Sequence, residues 1–274
     1  MSVLTSPPAA GVPRVKVTQV RVLRSEWTKF RSVRSTRWTL LIALVLMIGI
    51  GALFAAVNAS QYQGFSAADR ASFNPVTVSL SGTTFAVIAF GVLGVLTMSG
   101  EYGTGMIRSS LTVVPRRLPV LWGKLGVFAA VVFTTSLTAS LTAFWLGQAL
   151  LSSRHLGVSI TSPGALRSVA GAALYITVCG LLGVTLGTLF RNTAAGIATF
   201  AGVFFVLPPL TSLLPSSITN HLTQYLPEGA GSVIWGQTEG VSRALSPWTG
   251  FAVLCLYAVI LIAAAAWRLG HSDA

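Results

Sequence analysis

Acidic side chains are scarce: 274 residues hold six Asp and Glu, and charged residues of either sign make up 9%. A soluble domain carries roughly 25%, so this chain lacks the polar surface to keep a fold of its length in water. Cysteine is nearly absent. Cys179 and Cys255 both sit in apolar runs and read as small packing residues, with neither a disulfide nor a metal implied. No G-x-x-x-x-G-K-[ST] loop occurs, so the polypeptide has no nucleotide-binding loop of its own. His155, His221 and His271 fall in loops or tails, and no Ser/His/Asp or metal-ligand constellation forms around them. These absences exclude a soluble enzyme and leave no catalytic or metal-ligating residue to name.

What fills the chain is apolar. Hydrophobic residues make up 53%, and mean hydropathy is +0.75. A hydrocarbon core of about 30 Å takes roughly 20 apolar residues in a helix. Six runs meet that length, at about 38–57, 80–99, 125–151, 169–190, 193–214 and 248–267. The expected fold is an all-α integral membrane protein of six transmembrane helices. The fourth and fifth runs are separated only by Arg191-Asn192 and their neighbours, which implies a helical hairpin. Pro208-Pro209 should end or kink the fifth. Residues 215–247 read as an outer loop with short interfacial or re-entrant pieces. No Asp, Glu, Lys or Arg is expected well inside a span, which argues against an ion-coupled carrier with a buried carboxylate relay.

The net charge is +12. On a soluble protein that would suggest nucleic acid. Here the basic residues flank spans, and with an inside N-terminus 14 of the 18 Lys and Arg fall inside. Only Arg70, Arg154, Arg167 and Arg243 fall outside. The positive-inside rule then places both termini in the cytoplasm, with no nucleic-acid partner needed. Trp38, Trp122, Trp248 and Trp267 lie at span ends, where amphipathic rings are favoured. The first run is longer than a signal-peptide core and is expected to stay in the protein. The excess of Arg over Lys, with abundant Ala, Val and Gly, suggests a high-GC bacterial genome, and the six spans then imply a bacterial plasma membrane.

Before the first span, residues 1–16 form a basic, Pro-, Ala- and Ser-rich tail that is expected to be disordered. Residues 17–37 follow as an amphipathic interfacial helix: Val20, Leu23, Trp27 and Phe30 recur at helical steps, with Arg and Lys on the rest of the surface. A polybasic topology signal is the alternative. Residues 100–124 form a cytoplasmic loop with both charge signs, several glycines and Pro115-Arg116-Arg117. Glu101, at the membrane edge, needs a partner, and Arg108, Arg116 or Arg117 could supply it. The loop could serve as a docking surface or merely fix topology. Thr134, Thr138 and Thr142 recur at four-residue steps and could line a substrate path, glue helices, or bond their own backbone. Gly180, Gly183 and Gly187 share one helix face suited to close packing, within the chain or across a dimer.

These segments resemble a family. Arg24-Ser-Glu-Trp-Thr-Lys-Phe-Arg31 and the residues to Thr36 look like the pre-membrane helix of ABC type-2 exporter permeases. Glu101-Tyr-Gly-Thr-Gly-Met-Ile-Arg-Ser-Ser-Leu111, then Pro115-Arg-Arg and Lys124, resembles that family's first cytoplasmic loop. Tyr225-Leu-Pro-Glu-Gly-Ala-Gly231 is similar to its outer loop. With six spans, the resemblance extends over nearly the whole chain. It implies a permease subunit of an ATP-binding-cassette exporter, paired with a second permease copy in a homodimer or heterodimer. It also implies a separate ATPase subunit that binds ATP and Mg, and a coupling loop at 101–117 containing Glu101, Tyr102, Arg108, Arg116 and Arg117. The implied cargo is an amphipathic or lipid-like molecule such as a drug, antibiotic or peptide. The competing class is a non-transporting membrane scaffold, immunity or sensor protein.

Overall fold

The computed structural model describes residues 19–103, 117–238 and 243–271. Among them no strand occurs, and six helices are long and apolar enough to cross a membrane. The chain runs through α1 (Gln19–Ser32), α2 (Arg34–Gln61), the short α3 (Ala67–Ser72) and α4 (Pro75–Ser79), α5 (Thr83–Gly103), α6 (Arg117–Ser152), α7 (Ala165–Phe190) and α8 (Thr193–Ala201). It continues into α9 (Leu207–Leu210), α10 (Ser216–Leu222), α11 (Pro227–Ser232) and α12 (Pro247–His271). The six apolar helices match the six runs in number and order, and most are longer. At about 1.5 Å per residue the 36 residues of α6 reach about 54 Å, well beyond a hydrocarbon core. The predicted loop 100–124 is correspondingly shorter, because α5 continues to Gly103 and α6 begins at Arg117.

The predicted single element 17–37 is two. Val33 is extended (φ −76°, ψ 115°) and separates α1 from α2, so residues 34–37 belong to the first long helix. A β-branched residue leaves the helical region at little cost.

α7 forms the centre and is buried along most of its length. Its tightest neighbour is α5. A Cβ on Gly183 would overlap the Gly91 carbonyl, one on Gly94 the Gly180 carbonyl, and one on Gly187 the Val95 carbonyl. The glycines let the two backbones touch, which side chains at those sites would prevent. The three glycines singled out in the sequence therefore pack within one chain. Ser136 adds a hydroxyl bridge from α6 to the Ala173 carbonyl (3.3 Å).

The joint between α7 and α8 is as short as expected. Arg191 takes a left-handed conformation (φ 53°), its N–H bonds to the Gly187 carbonyl, and Asn192 caps the next helix through Ala195 N–H (3.0 Å). Such a stop and restart reverses the chain within two residues. Pro208-Pro209 does not end the following helix. A π-helical turn, Gly202–Val206, precedes α9 and widens the spiral where a proline lacks its donor and crowds the preceding turn.

Residues 214–238 fold back onto the bundle. α11 lies against α7 and α12: Gly231 meets Tyr175 and Leu254, and Gly250 meets the Ala230 carbonyl. Tyr175 is ten residues into α7, about 15 Å along its axis. At that same end of the bundle, buried Gln148 ties α6 to Pro75 and Ser79 and accepts from Val158 N–H. α1, the end of α5, the start of α6, the α7–α8 joint and the end of α12 gather at the opposite end. There Arg191 lies over the Tyr102 ring (5.2 Å), Thr193 bonds Ser99 (2.9 Å) and Arg268 donates to the Leu189 carbonyl.

Candidate functional site

α1 docks lengthwise on the first turns of α6. Gln19 donates to the Pro119 carbonyl (3.1 Å), Val22 packs on Gly123, Glu26 pairs with Lys124, and Phe30 meets Phe128 edge to face (6.2 Å). The docked positions recur at helical steps of 3, 4 and 4. This docking face is distinct from the apolar stripe named from the sequence. Val20 is 72% and Trp27 50% exposed, and Leu23 sits at the edge of the contact near Gly126. Of the four predicted residues only Phe30 packs into the bundle. The reason is Glu26, a buried carboxylate that an apolar pattern counts as surface.

Glu26 belongs to a compact ion network. Lys124 Nζ lies 2.8 Å from Glu101 Oε1 and 3.1 Å from Glu26 Oε2, and also donates to the Thr97 carbonyl (3.3 Å). Lys29 Nζ lies 2.8 Å from Glu26 Oε1 and 3.4 Å from Glu101 Oε1. Lys124 is 4% exposed and Glu101 9%. Two carboxylates and two ammonium groups thus join α1, α5 and α6 at one point. Burial alone would raise the Glu26 carboxyl. The Lys124 charge and the Lys29 hydrogen bond outweigh it and hold the group below the ordinary carboxylate range. For Lys29, burial disfavours the charge, but the Glu26 hydrogen bond and the Glu101 charge hold the ammonium above the ordinary lysine range.

On sequence, Arg108, Arg116 or Arg117 could pair Glu101. Its partners among the described residues are Lys124 and Lys29. Arg108, Arg116 and the 1–16 tail lie outside the described residues, and Arg117 opens α6. Lys124, placed in the loop on sequence, is inside a helix and almost fully buried. A compact ammonium with three donors suits a site that two carboxylates and a carbonyl share, which a planar guanidinium fits less well. Tyr102 stacks under Arg191 rather than joining the network.

A cavity of about 340 Å³ opens beside the network. Phe30, Val33, Leu93, Leu96 and Val127 supply apolar wall, Thr36 and Thr39 hydroxyls, and Glu26, Lys29, Glu101 and Lys124 its charged base. Exposed Trp27, Trp38 and Trp122 surround this end of the bundle, and Trp267 is exposed at the end of α12.

Thr134, Thr138 and Thr142 are exposed on α6. Each bonds its own backbone four residues back (2.8 Å), the self-satisfying option. Half-buried Glu228, in α11, has no ion-pair partner among the described residues. No group of three His, Cys, Asp or Glu there could hold a metal. Comparison with protein-family models finds no match to the chain, and comparison with curated proteins finds none.

Proposed function

We propose that the chain is the membrane-spanning permease subunit of an ATP-binding-cassette exporter in a bacterial plasma membrane, with both termini cytoplasmic. One observation carries the reading. The buried ion network clamps the pre-membrane helix α1 to both helices that bracket residues 104–116. A docking loop fixed at both roots to a third element transmits force. A loop that only set topology would not need that clamp.

In this reading a separate ATPase subunit, which binds ATP and Mg, docks on the 101–117 segment and α1. Closure of an ATPase pair displaces the ends of α5 and α6 together, because Lys124 holds Glu101 and Glu26. α5 passes the motion to α7 through the glycine contact, where touching backbones move as one body. α1 lies in the interface with Val20, Leu23 and Trp27 toward lipid, and six crossings return the C-terminus to the N-terminal side. A second copy of the chain, or a similar permease, completes the path. The absence of charge at mid-helix suits an amphipathic or lipid-like cargo.

The test is purification of tagged protein in mild detergent, after co-expression with neighbouring ATPase genes, and weighing of the intact complex. The expected mass is two permeases plus two ATPases, lost when Arg108, Arg116 and Arg117 become Glu. A permease-only particle under the same conditions counts against export and favours a scaffold or sensor.

A further inference from the structure

Away from the ion network, α1 carries a second charged feature. Glu26 is the only acidic residue in the helix, and it is buried against Lys124 and Lys29. Arg21, Arg24 and Arg31 are all exposed. At about 100° per residue, Arg24 and Arg31 lie about 170° round the axis from the docked Val22 and Glu26. They lie about 60° from the middle of the exposed stripe of Val20, Leu23 and Trp27. The arginines therefore face directly away from α6 and sit beside the apolar stripe, not opposite it. Opposite the stripe come Ser25 and Ser32, also exposed.

Depth narrows what this row meets. Trp27 on α1, Trp122 in the second turn of α6 and Trp38 in the second turn of α2 are all exposed. Amphipathic rings favour the membrane–water boundary, which puts α1 at headgroup level. A face at that level, turned from the bundle and flanked by apolar side chains, meets the surrounding lipid. Phosphate oxygens are the anionic acceptors there, and guanidinium groups make charge-assisted hydrogen bonds to them. A protein partner arriving from the aqueous side meets Ser25 and Ser32 first, about 160° from the apolar stripe.

We propose that Arg24 and Arg31, continued by Arg21, bind the headgroup phosphates of anionic phospholipids around α1. The assignment does not depend on the exporter reading, only on the membrane. The opposite face holds the row outward, because Glu26 and Phe30 dock on α6. Bound lipid and the ion network therefore share one helix without competing. A zwitterionic headgroup offers the same phosphate beside a cation, which cancels most of the attraction, so net lipid charge is the property selected.

The experiment reconstitutes the full chain in nanodiscs holding equal parts of phosphatidylglycerol and phosphatidylcholine with matched acyl chains. Native mass spectrometry then counts the lipids retained on release. Phosphatidylglycerol should be retained at least about tenfold over phosphatidylcholine, and Arg24→Gln/Arg31→Gln should lower that ratio at least about fivefold, the scale of one basic side chain at an anionic surface. Thr28→Glu keeps both arginines and sets a carboxylate between them on the exposed row, so it should lower the ratio by a similar factor. It keeps the test decisive if the double variant does not fold. Arg154→Gln/Arg167→Gln removes the same charge from exposed positions at the other end of the bundle and should leave the ratio within about twofold. Equal retention of the two lipids, a ratio unchanged by the α1 variants, or an equal fall in Arg154→Gln/Arg167→Gln would overturn the proposal. An unchanged lipid ratio in Arg24→Gln/Arg31→Gln, with loss of a co-purified ATPase subunit, would overturn it too and assign the row to a protein surface.

Discussion

At the scale of single residues, Lys124 is the most constrained side chain. Removing it leaves Glu26 and Glu101 facing each other with Lys29 alone between them. Breaking a buried ionic cluster by deleting one partner costs about 3–5 kcal/mol. Lys124→Met should therefore lower stability by about that amount in detergent unfolding, and a Lys124→Met/Glu101→Leu pair should recover part of it. The pH dependence follows from Glu26 and Lys29. Glu26 has a depressed folded pKa, so its contribution is present above the ordinary carboxylate range and is lost as pH falls through that range and below. Lys29 has a raised folded pKa, so its contribution is complete below the ordinary lysine range and is lost as pH climbs through and above it. A melting-temperature profile should show a plateau between those limits, and Glu26→Gln should weaken the acid limb. Loss of acid sensitivity in a variant far from the network would point elsewhere.

Between elements, the decisive contact is α5 on α7. Gly183→Ala must push the Gly91 backbone away, at a cost of about 1–3 kcal/mol for overpacking. Gly49→Ala on α2, where nothing lies within 4 Å of the new methyl, should instead be neutral or stabilise by up to about 1 kcal/mol. Comparing the two by thermal unfolding separates close packing from helix propensity. The helical spacing of the three glycines was visible in the sequence, but their partner was not, since Gly91, Gly94 and Val95 are reached only by folding. Likewise the period in α1 showed a helix and its apolar stripe but not the second face, the one that docks on α6. Hydrophobic spacing finds the apolar side of a helix, and a helix can dock through another side when a buried charge there finds its partner. Glu26 marks the protein side, and only its pairing with Lys124 reveals that.

For the whole molecule, charge separates the two ends of the bundle. Lys29, Lys124, Arg191 and Arg268 lie at the end that holds α1, and Arg154 follows α6 at the other. If the proposed orientation holds, Ser32→Cys should react with a membrane-impermeant maleimide only after permeabilisation, and Ser153→Cys from outside intact cells, both in a Cys255→Ala background. The reverse pattern would invert the topology and remove the α1 end from the cytoplasm. In the assembled complex, Lys124→Met should retain the ATPase subunit yet lose most substrate-stimulated ATP hydrolysis, because docking survives while the clamp does not. Unchanged stimulation would mean that force takes another route.

Composition and run length were enough to establish six apolar helices, their order, the tight Arg191-Asn192 joint and the segregation of charge, because each depends on local hydropathy or on neighbours in the chain. Folding alone decided the rest. It drew Lys124 into a helix and buried it, brought Lys124 and Lys29 to Glu101, let a π turn absorb Pro208-Pro209, and folded residues 227–235 back between α7 and α12. Those outcomes depend on contacts between residues far apart in the chain, where the cost of a buried charge or a missing backbone donor is set by what the fold brings beside it.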